Sequence, residues 1–165
     1  MPKRLIFYNI RLANAIINYA QLTKTNGAII ALDQEKAYDR IRHDYLWKTL
    51  EEFHIPATLI NTVQSFYKNA HTTVAINGIF SKPYKVTRRV RQGDPLSCAL
   101  FNLAIEPLAC RIRSNKTLEG YQIPGLDEKI IISLYADDMS LFLSCNNSLD
   151  YINQILEEWC TASGA

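Results

Sequence analysis

Apolar residues along the chain fall into two kinds of repeat, and the switches between them lay out the elements. Ile10, Ala13, Ile16, Ile17 and Ala20 recur at helical spacing until Asn26-Gly27 breaks the pattern. "AIIAL" (28–32) is short and wholly apolar, as a buried strand would be. Leu46, Trp47, Leu50 and Phe53 predict one amphipathic helix, and Leu59, Ile60, Val63, Phe66 and Tyr67, beyond Pro56, predict another. "TTVAINGIF" then alternates up to Asn77-Gly78, a pair that favours a two-residue hairpin turn. The return strand leads through a basic stretch into "RQGDPLS" (91–97). Phe101, Ala104, Ile105, Leu108 and Ile112 line a further helix, which Pro107 is expected to kink. "IIISLY" and "MSLFL" predict two strands flanking Ala136-Asp137-Asp138. Leu149, Ile152, Ile155, Leu156 and Trp159 form the last helical stripe, with a cap expected near Asn147 or Ser148. The sum is a single α+β domain whose strands pair largely through hairpins.

Composition narrows this little. At 165 residues, with 48% hydrophobic and 21% charged, the chain has the make-up of a globular domain rather than a disordered one. A net charge of +2 neither demands nor excludes a nucleic-acid partner. Its distribution says more, because Lys82, Lys85, Arg88, Arg89 and Arg91 cluster in a stretch without acids. Such a stretch can grip phosphates, or it can be a solvated strand face. Cys98, Cys110, Cys145 and Cys160 are widely spaced with no CxxC, which argues against a zinc site or a disulfide scaffold. Buried thiols are the expectation. Neither a signal peptide nor a long apolar span stands out, so the reading is a reduced, intracellular protein with no membrane partner.

The chemistry concentrates in carboxylates. Asp137 and Asp138 are adjacent like charges between apolar runs, an arrangement that needs solvent or a cation to compensate it. Asp33 directly follows "AIIAL", at the carboxyl end of a predicted strand. If the two segments neighbour each other in one sheet, their carboxylates converge. Converged carboxylates suit hard divalent cations such as Mg²⁺. A plain turn at Asp137-Asp138 and a capping role for Asp33 remain alternative readings of the same residues.

"ALDQEKAYDRI" (31–41), "RQGDPLS" (91–97) and "YADD" (135–138), in that order, resemble the palm of a reverse transcriptase, most of all that of non-LTR (LINE-type) retrotransposons. The resemblance also takes in "IRLANAIINYA", "VTRRVRQGDPLSCALFNLAIEPLA" and "WCTASGA". It implies an RRM-like polymerase palm, a largely antiparallel sheet packed with helices. Residues 1–165 would be a partial domain, the end of the fingers plus the palm, with the fingers incomplete and the thumb absent. Asp33, Asp137 and Asp138 would be the catalytic metal ligands, holding two Mg²⁺ ions, with Mn²⁺ as a substitute. A primer 3′-hydroxyl would attack the α-phosphate of a dNTP, directed by an RNA template on a DNA primer. Tyr38 stands at the sugar-gate position and Gln92 at the second motif's glutamine, so both would bear on the dNTP. From the basic stretch itself, Arg88, Arg89 and Arg91 are expected to meet template or primer phosphates, contacts that position a strand without reading its sequence. By the resemblance Tyr135 would lie beside the primer terminus. Nuclear action is expected from how such elements copy at chromosomal DNA.

The sequence also departs from that family. Arg89 stands where many relatives have glycine, and Tyr8 replaces a common acidic residue. The upstream basic residues of the fingers and the fourth motif's lysine are expected outside this sequence, as is any endonuclease domain. A remnant or partial product of a retrotransposon, inactive alone, is therefore expected. His43, His54 and His71 show no metal-ligand spacing and are expected to be structural. Two competing functions remain: a non-catalytic nucleic-acid-binding module, and another two-metal enzyme such as a nuclease or cyclase. Tyr38, Gln92 and the lack of a GG[DE]EF-type turn speak against the latter.

Overall fold

The computed structural model describes residues 6–144 and 149–165. In chain order the helices are α1 (Ile6–Thr23), α2 (Ala37–Arg40), α3 (His43–Glu52), α4 (Ala57–Lys68), α5 (Pro95–Ser114) and α6 (Leu149–Ser163). The strands are β1 (Ala28–Leu32), β2 (His71–Thr72), β3 (Ala75–Ile76), β4 (Ile79–Phe80), β5 (Tyr84–Lys85), β6 (Ile132–Tyr135) and β7 (Asp138–Leu143). The mixture of helices and antiparallel sheet agrees with the expected class. The cap expected near Asn147 or Ser148 lies outside the described residues.

The chain divides into two compact units. One comprises Met1–Glu35 and Leu108–Trp159, and holds a three-stranded antiparallel sheet in the order β1-β7-β6. Its middle strand, β7, buries Met139, Leu141, Phe142 and Leu143, because it has a neighbour on each edge. Phe142 packs with Ile16 of α1 and Tyr121, which are 1%, 1% and 4% exposed for Phe142, Ile16 and Tyr121 respectively. The predicted stripe of α1 is thus only partly used: Ile16 is buried, whereas Ile10 and Ile17 are exposed. Gly27 leads into β1 where nothing larger fits, since a Cβ there would overlap the Tyr121 hydroxyl and approach the Leu143 carbonyl.

The other unit comprises Lys36–Pro107 and Cys160–Ala165. Its core gathers Ile41, Leu46, Leu50, Ile60, Val63, Tyr67, Val90 and Phe101 from α3, α4, α5 and the segments between them. The hairpin at Asn77-Gly78 forms with both residues at left-handed φ (50° and 80°), the geometry that makes Asn-Gly favourable there. Its strands are much shorter than the alternation predicts. Each has two residues, and Ile76, Ile79 and Phe80 are all exposed, because in this unit β3 and β4 pair only with each other.

Helix α5 continues through Pro107. Proline removes one i→i−4 bond, and next to the affected turn the Tyr45 hydroxyl donates to the Ala104 carbonyl at 2.9 Å. Contrary to the expectation of no long apolar span, α5 has the length and apolar composition to cross a membrane. The reason is its place in the core: Leu100, Phe101, Ala104, Ile105, Leu108, Ala109 and Ile112 are all buried. The thiol expectation also fails, because Cys98, Cys110 and Cys160 are exposed. Cys145 lies outside the described residues.

Candidate active site

Within the first unit the sheet register decides where the carboxylates go. β1 pairs with β7 from Ala28↔Leu143 to Leu32↔Met139. The ladder ends there, with Asp33 the residue after Leu32 and Asp138 the residue before Met139. β6 and β7 form a tight hairpin closed by the Tyr135↔Asp138 pair, with Ala136 and Asp137 as its turn. Asp33 and Asp138 therefore leave neighbouring strands at the same sheet edge, and Asp137 sits in the turn beside them.

Asp33 and Asp138 are exposed, and Asp137 is half-buried. Ala136 holds φ 55°, in the left-handed region. For a residue with a Cβ this costs about 1–2 kcal/mol, and local strain of that kind concentrates at functional turns. Among the described residues, no group of three or more His, Cys, Asp or Glu side chains is closed on a common point. The donors the register aligns are oxygens only, which suits a hard cation that fills its remaining positions with water and substrate phosphate. Tyr135, 37% exposed, precedes the turn on β6.

The second unit brings Tyr38 and Gln92 to one hollow of about 490 Å³, lined also by Gly93, Asp94, Pro95, Ser97 and Cys98. Tyr38 is half-buried and stacks on Phe101, with ring centroids 4.8 Å apart and 16° between planes. Its hydroxyl donates to the Cys98 sulfur at 3.6 Å. The Gln92 amide donates to Asp39 Oδ2 at 3.5 Å, and open space lies over the Gly93 Cα. Asp94 starts α5: its Oδ1 accepts the Leu96 N–H at 2.9 Å and its carbonyl the Ser97 N–H at 3.0 Å. Asp94 was not among the expected residues, although Asp directly before a Pro at a helix start is a recognisable capping signal.

Arg88 and Arg91 part company. Arg88 bridges to Arg42 and faces an open groove of about 900 Å³. Arg91 lies over the Tyr67 ring, 6.0 Å from its centroid, and donates to the Phe66 carbonyl at 3.3 Å. Between them, Arg89 takes φ 79°, which is the physical reason glycine suits this position. The conformation is clamped, because Arg89 N–H donates to the Ile41 carbonyl at 2.7 Å and its own carbonyl accepts from His43 Nε2 at 2.9 Å. Burial holds the His43 imidazole below its ordinary range, against the opposing effects of the Arg89 carbonyl and Asp44. His43 also meets Tyr67 edge-on at 5.0 Å and Trp47 at 5.7 Å, a packed, structural setting as expected.

Comparison with known proteins agrees with these motifs. Residues 3–165 match the family model for reverse transcriptase (RNA-dependent DNA polymerase). The chain is 36% identical, over all of its length, to the transposon TX1 uncharacterized 149 kDa protein of Xenopus laevis, covering 12% of that protein. It is 31% identical over 86% of its length to the retrovirus-related Pol polyprotein of the type-1 retrotransposable element R2 of Nasonia vitripennis, covering 13% of it. It is 26% identical over 87% of its length to the Pol polyprotein of the type-2 element R2DM of Drosophila melanogaster, again covering 13%. The chain thus spans a small part of the length of these non-LTR retrotransposon proteins. With a family model matched over nearly every residue, the chain belongs to the reverse transcriptase (RNA-dependent DNA polymerase) family.

Proposed function

We propose that residues 1–165 are part of an RNA-directed DNA polymerase, the end of its fingers and an RRM-like palm, acting at chromosomal DNA in the nucleus. The reaction joins the α-phosphate of a dNTP to the 3′-hydroxyl of a DNA primer, directed by an RNA template. The observation that carries this reading is the β1–β7 ladder, which ends at Leu32↔Met139 and so leaves Asp33 and Asp138 at one end of the sheet, beside the Asp137 turn. Family membership and the retrotransposon relatives support it.

Asp33, Asp137 and Asp138 would hold Mg²⁺, with Mn²⁺ as a substitute. Two such ions, when bound, supply activation of the attacking oxygen and neutralisation of the leaving one. The chain's own groups do the rest. The carboxylates place that charge at a solvent-facing strand end, where a triphosphate has access. In the second unit Tyr38, backed by Phe101, presents a fixed ring to its hollow. A ring there would exclude a ribose 2′-hydroxyl, the group by which a site tells ribonucleotides from deoxyribonucleotides. Gln92, in the same hollow, would bear on the nucleotide, Arg88 and Arg91 on strand phosphates, and Tyr135 on the primer end. The test is incorporation of dTTP on poly(rA)/oligo(dT) by residues 1–165 grafted in place of the matching segment of an active R2-type relative, which Asp137→Asn should abolish.

One observation favours a second reading, a non-catalytic nucleic-acid-binding module: no three-ligand metal group is closed among the described residues. That reading requires RNA binding that is independent of Mg²⁺ and survives Asp137→Asn, with no incorporation by either protein.

A further inference from the structure

The hollow that Tyr38 faces is otherwise lined by the start of α5 and the loop leading into it, from Gln92 to Cys98. The same helix also holds the ring. Phe101, fully buried, stacks on it at 4.8 Å, and Cys98 Sγ accepts the Tyr38 hydroxyl hydrogen at 3.6 Å. Residues three apart share one face of a helix, so Cys98 and Phe101 reach the ring together. Ser97, between them and the loop, is 1% exposed and anchors this turn in the core.

The two contacts constrain different motions. A stacked pair tolerates lateral offset, so Phe101 fixes the tilt of the ring better than its reach into the hollow. The bond from the hydroxyl to sulfur fixes the reach, because it ties the far end of the ring to the first turn of α5. A side chain that sorts ligands by shape has to be held to within about 0.5 Å. Cys98 supplies a hold of that kind from 60 residues away in sequence.

We propose that Cys98 is a positioning residue for sugar selection: by holding the Tyr38 hydroxyl it keeps the ring in the path of a ribose 2′-hydroxyl. This rests on the polymerase reading, with Tyr38 toward the nucleotide sugar, and adds to it a residue that acts through the ring. A deoxyribose is accommodated with the ring where it stands. A ribose has to push the ring aside, which breaks the bond to Cys98. The net worth of that bond therefore enters the preference for deoxyribonucleotides directly. Sulfur is a weak acceptor and the bond is exposed, so its worth lies at the low end for a hydrogen bond, about two- to fivefold in relative rate.

The test measures kcat/KM for dTTP and for UTP on poly(rA)/oligo(dT), with residues 1–165 grafted in place of the matching segment of an active R2-type relative. Cys98→Val, which lacks the acceptor, should raise UTP relative to dTTP by about two- to fivefold. Cys98→Ser, which keeps an acceptor, should hold the parent's ratio. A merely structural lesion would lower both substrates together and leave the ratio alone. A second measurement needs no catalysis: melting of Tyr38→Phe, Cys98→Val and the double variant in the ungrafted chain. Their effects on Tm should not add, because both single changes remove the same bond. An unchanged ratio in Cys98→Val, with the parent graft incorporating dTTP, would overturn the proposal and leave the polymerase reading standing. Additive Tm changes would overturn it too, as would an equal rise in UTP use by Cys98→Ser, or a parent graft that takes UTP as readily as dTTP. A folded parent graft that incorporates nothing would overturn the polymerase reading, and this inference with it.

Discussion

Replacing Asp138 with asparagine should stabilise the metal-free protein and blunt its response to Mg²⁺. Asp33 follows the last paired residue of β1 and Asp138 precedes that residue's partner in β7; one more step of the same pairing would set their Cβ atoms about 4.5–5.5 Å apart. Both side chains are exposed, so the dielectric is close to that of water. Two unit charges at about 5 Å then repel by about 0.8 kcal/mol, within the cost of about 0.2–1 kcal/mol for like charges opposed in a sheet. Relieving it should raise Tm by about 2–3 °C in EDTA for a chain of this size. With Mg²⁺ at about ten times its dissociation constant, binding adds about 1.4 kcal/mol to the parent chain, enough to reverse the order of the two proteins. The assay is thermal melting in EDTA and in millimolar Mg²⁺, with ionic strength held constant by NaCl. A variant no more stable without metal, together with a parent chain indifferent to Mg²⁺, would refute both the opposition of the carboxylates and their role as ligands.

Two further outcomes follow from local geometry. Gly27→Ala places a Cβ 2.5 Å from the Leu143 carbonyl oxygen, which belongs to β7 and cannot swing aside as the Tyr121 side chain can. It should cost about 1–3 kcal/mol, read as a lower urea midpoint, and an unchanged midpoint would mean that β1 does not enter as described. His43, held below its ordinary range by burial, should make stability pH-dependent. The unfolded chain takes up the proton more readily, so this contribution is whole above the ordinary histidine range and is lost as pH falls below it. Tm should therefore drop more steeply between about pH 7 and 5 for the parent chain than for His43→Gln, and parallel profiles would contradict the buried, neutral imidazole.

Much of the site was legible in the sequence because its local signals agree with its tertiary setting. "AIIAL" reads as a strand by composition, and Ala136-Asp137 reads as a turn between two apolar runs. The pairing of β1 with β7 was not legible from periodicity. It joins segments far apart in the chain, and only the resemblance to a palm pointed to it. Periodicity also misled where tertiary contacts decide. "TTVAINGIF" alternates as a longer strand would, yet each strand stops after two residues, since β3 and β4 gain no further neighbour in their unit. Helix α5 likewise buries one stripe, from Leu100 through Ile112, and length and composition alone do not tell such a helix from a membrane span. Arg89 stands out in the sequence where many relatives have glycine, but the reason, a left-handed backbone held by hydrogen bonds with Ile41 and His43, depends on residues distant in sequence.

The central claim is that carboxylates at the joined ends of β1 and β7 support template-directed nucleotide transfer. The most direct measurement is dTTP incorporation on poly(rA)/oligo(dT) in Mg²⁺, with residues 1–165 grafted in place of the matching segment of an active R2-type relative. The account predicts extension by the graft and its loss in the Asp137→Asn graft, with both proteins equally folded. Extension that survives Asp137→Asn, or a folded graft that extends nothing while its parent does, would contradict it.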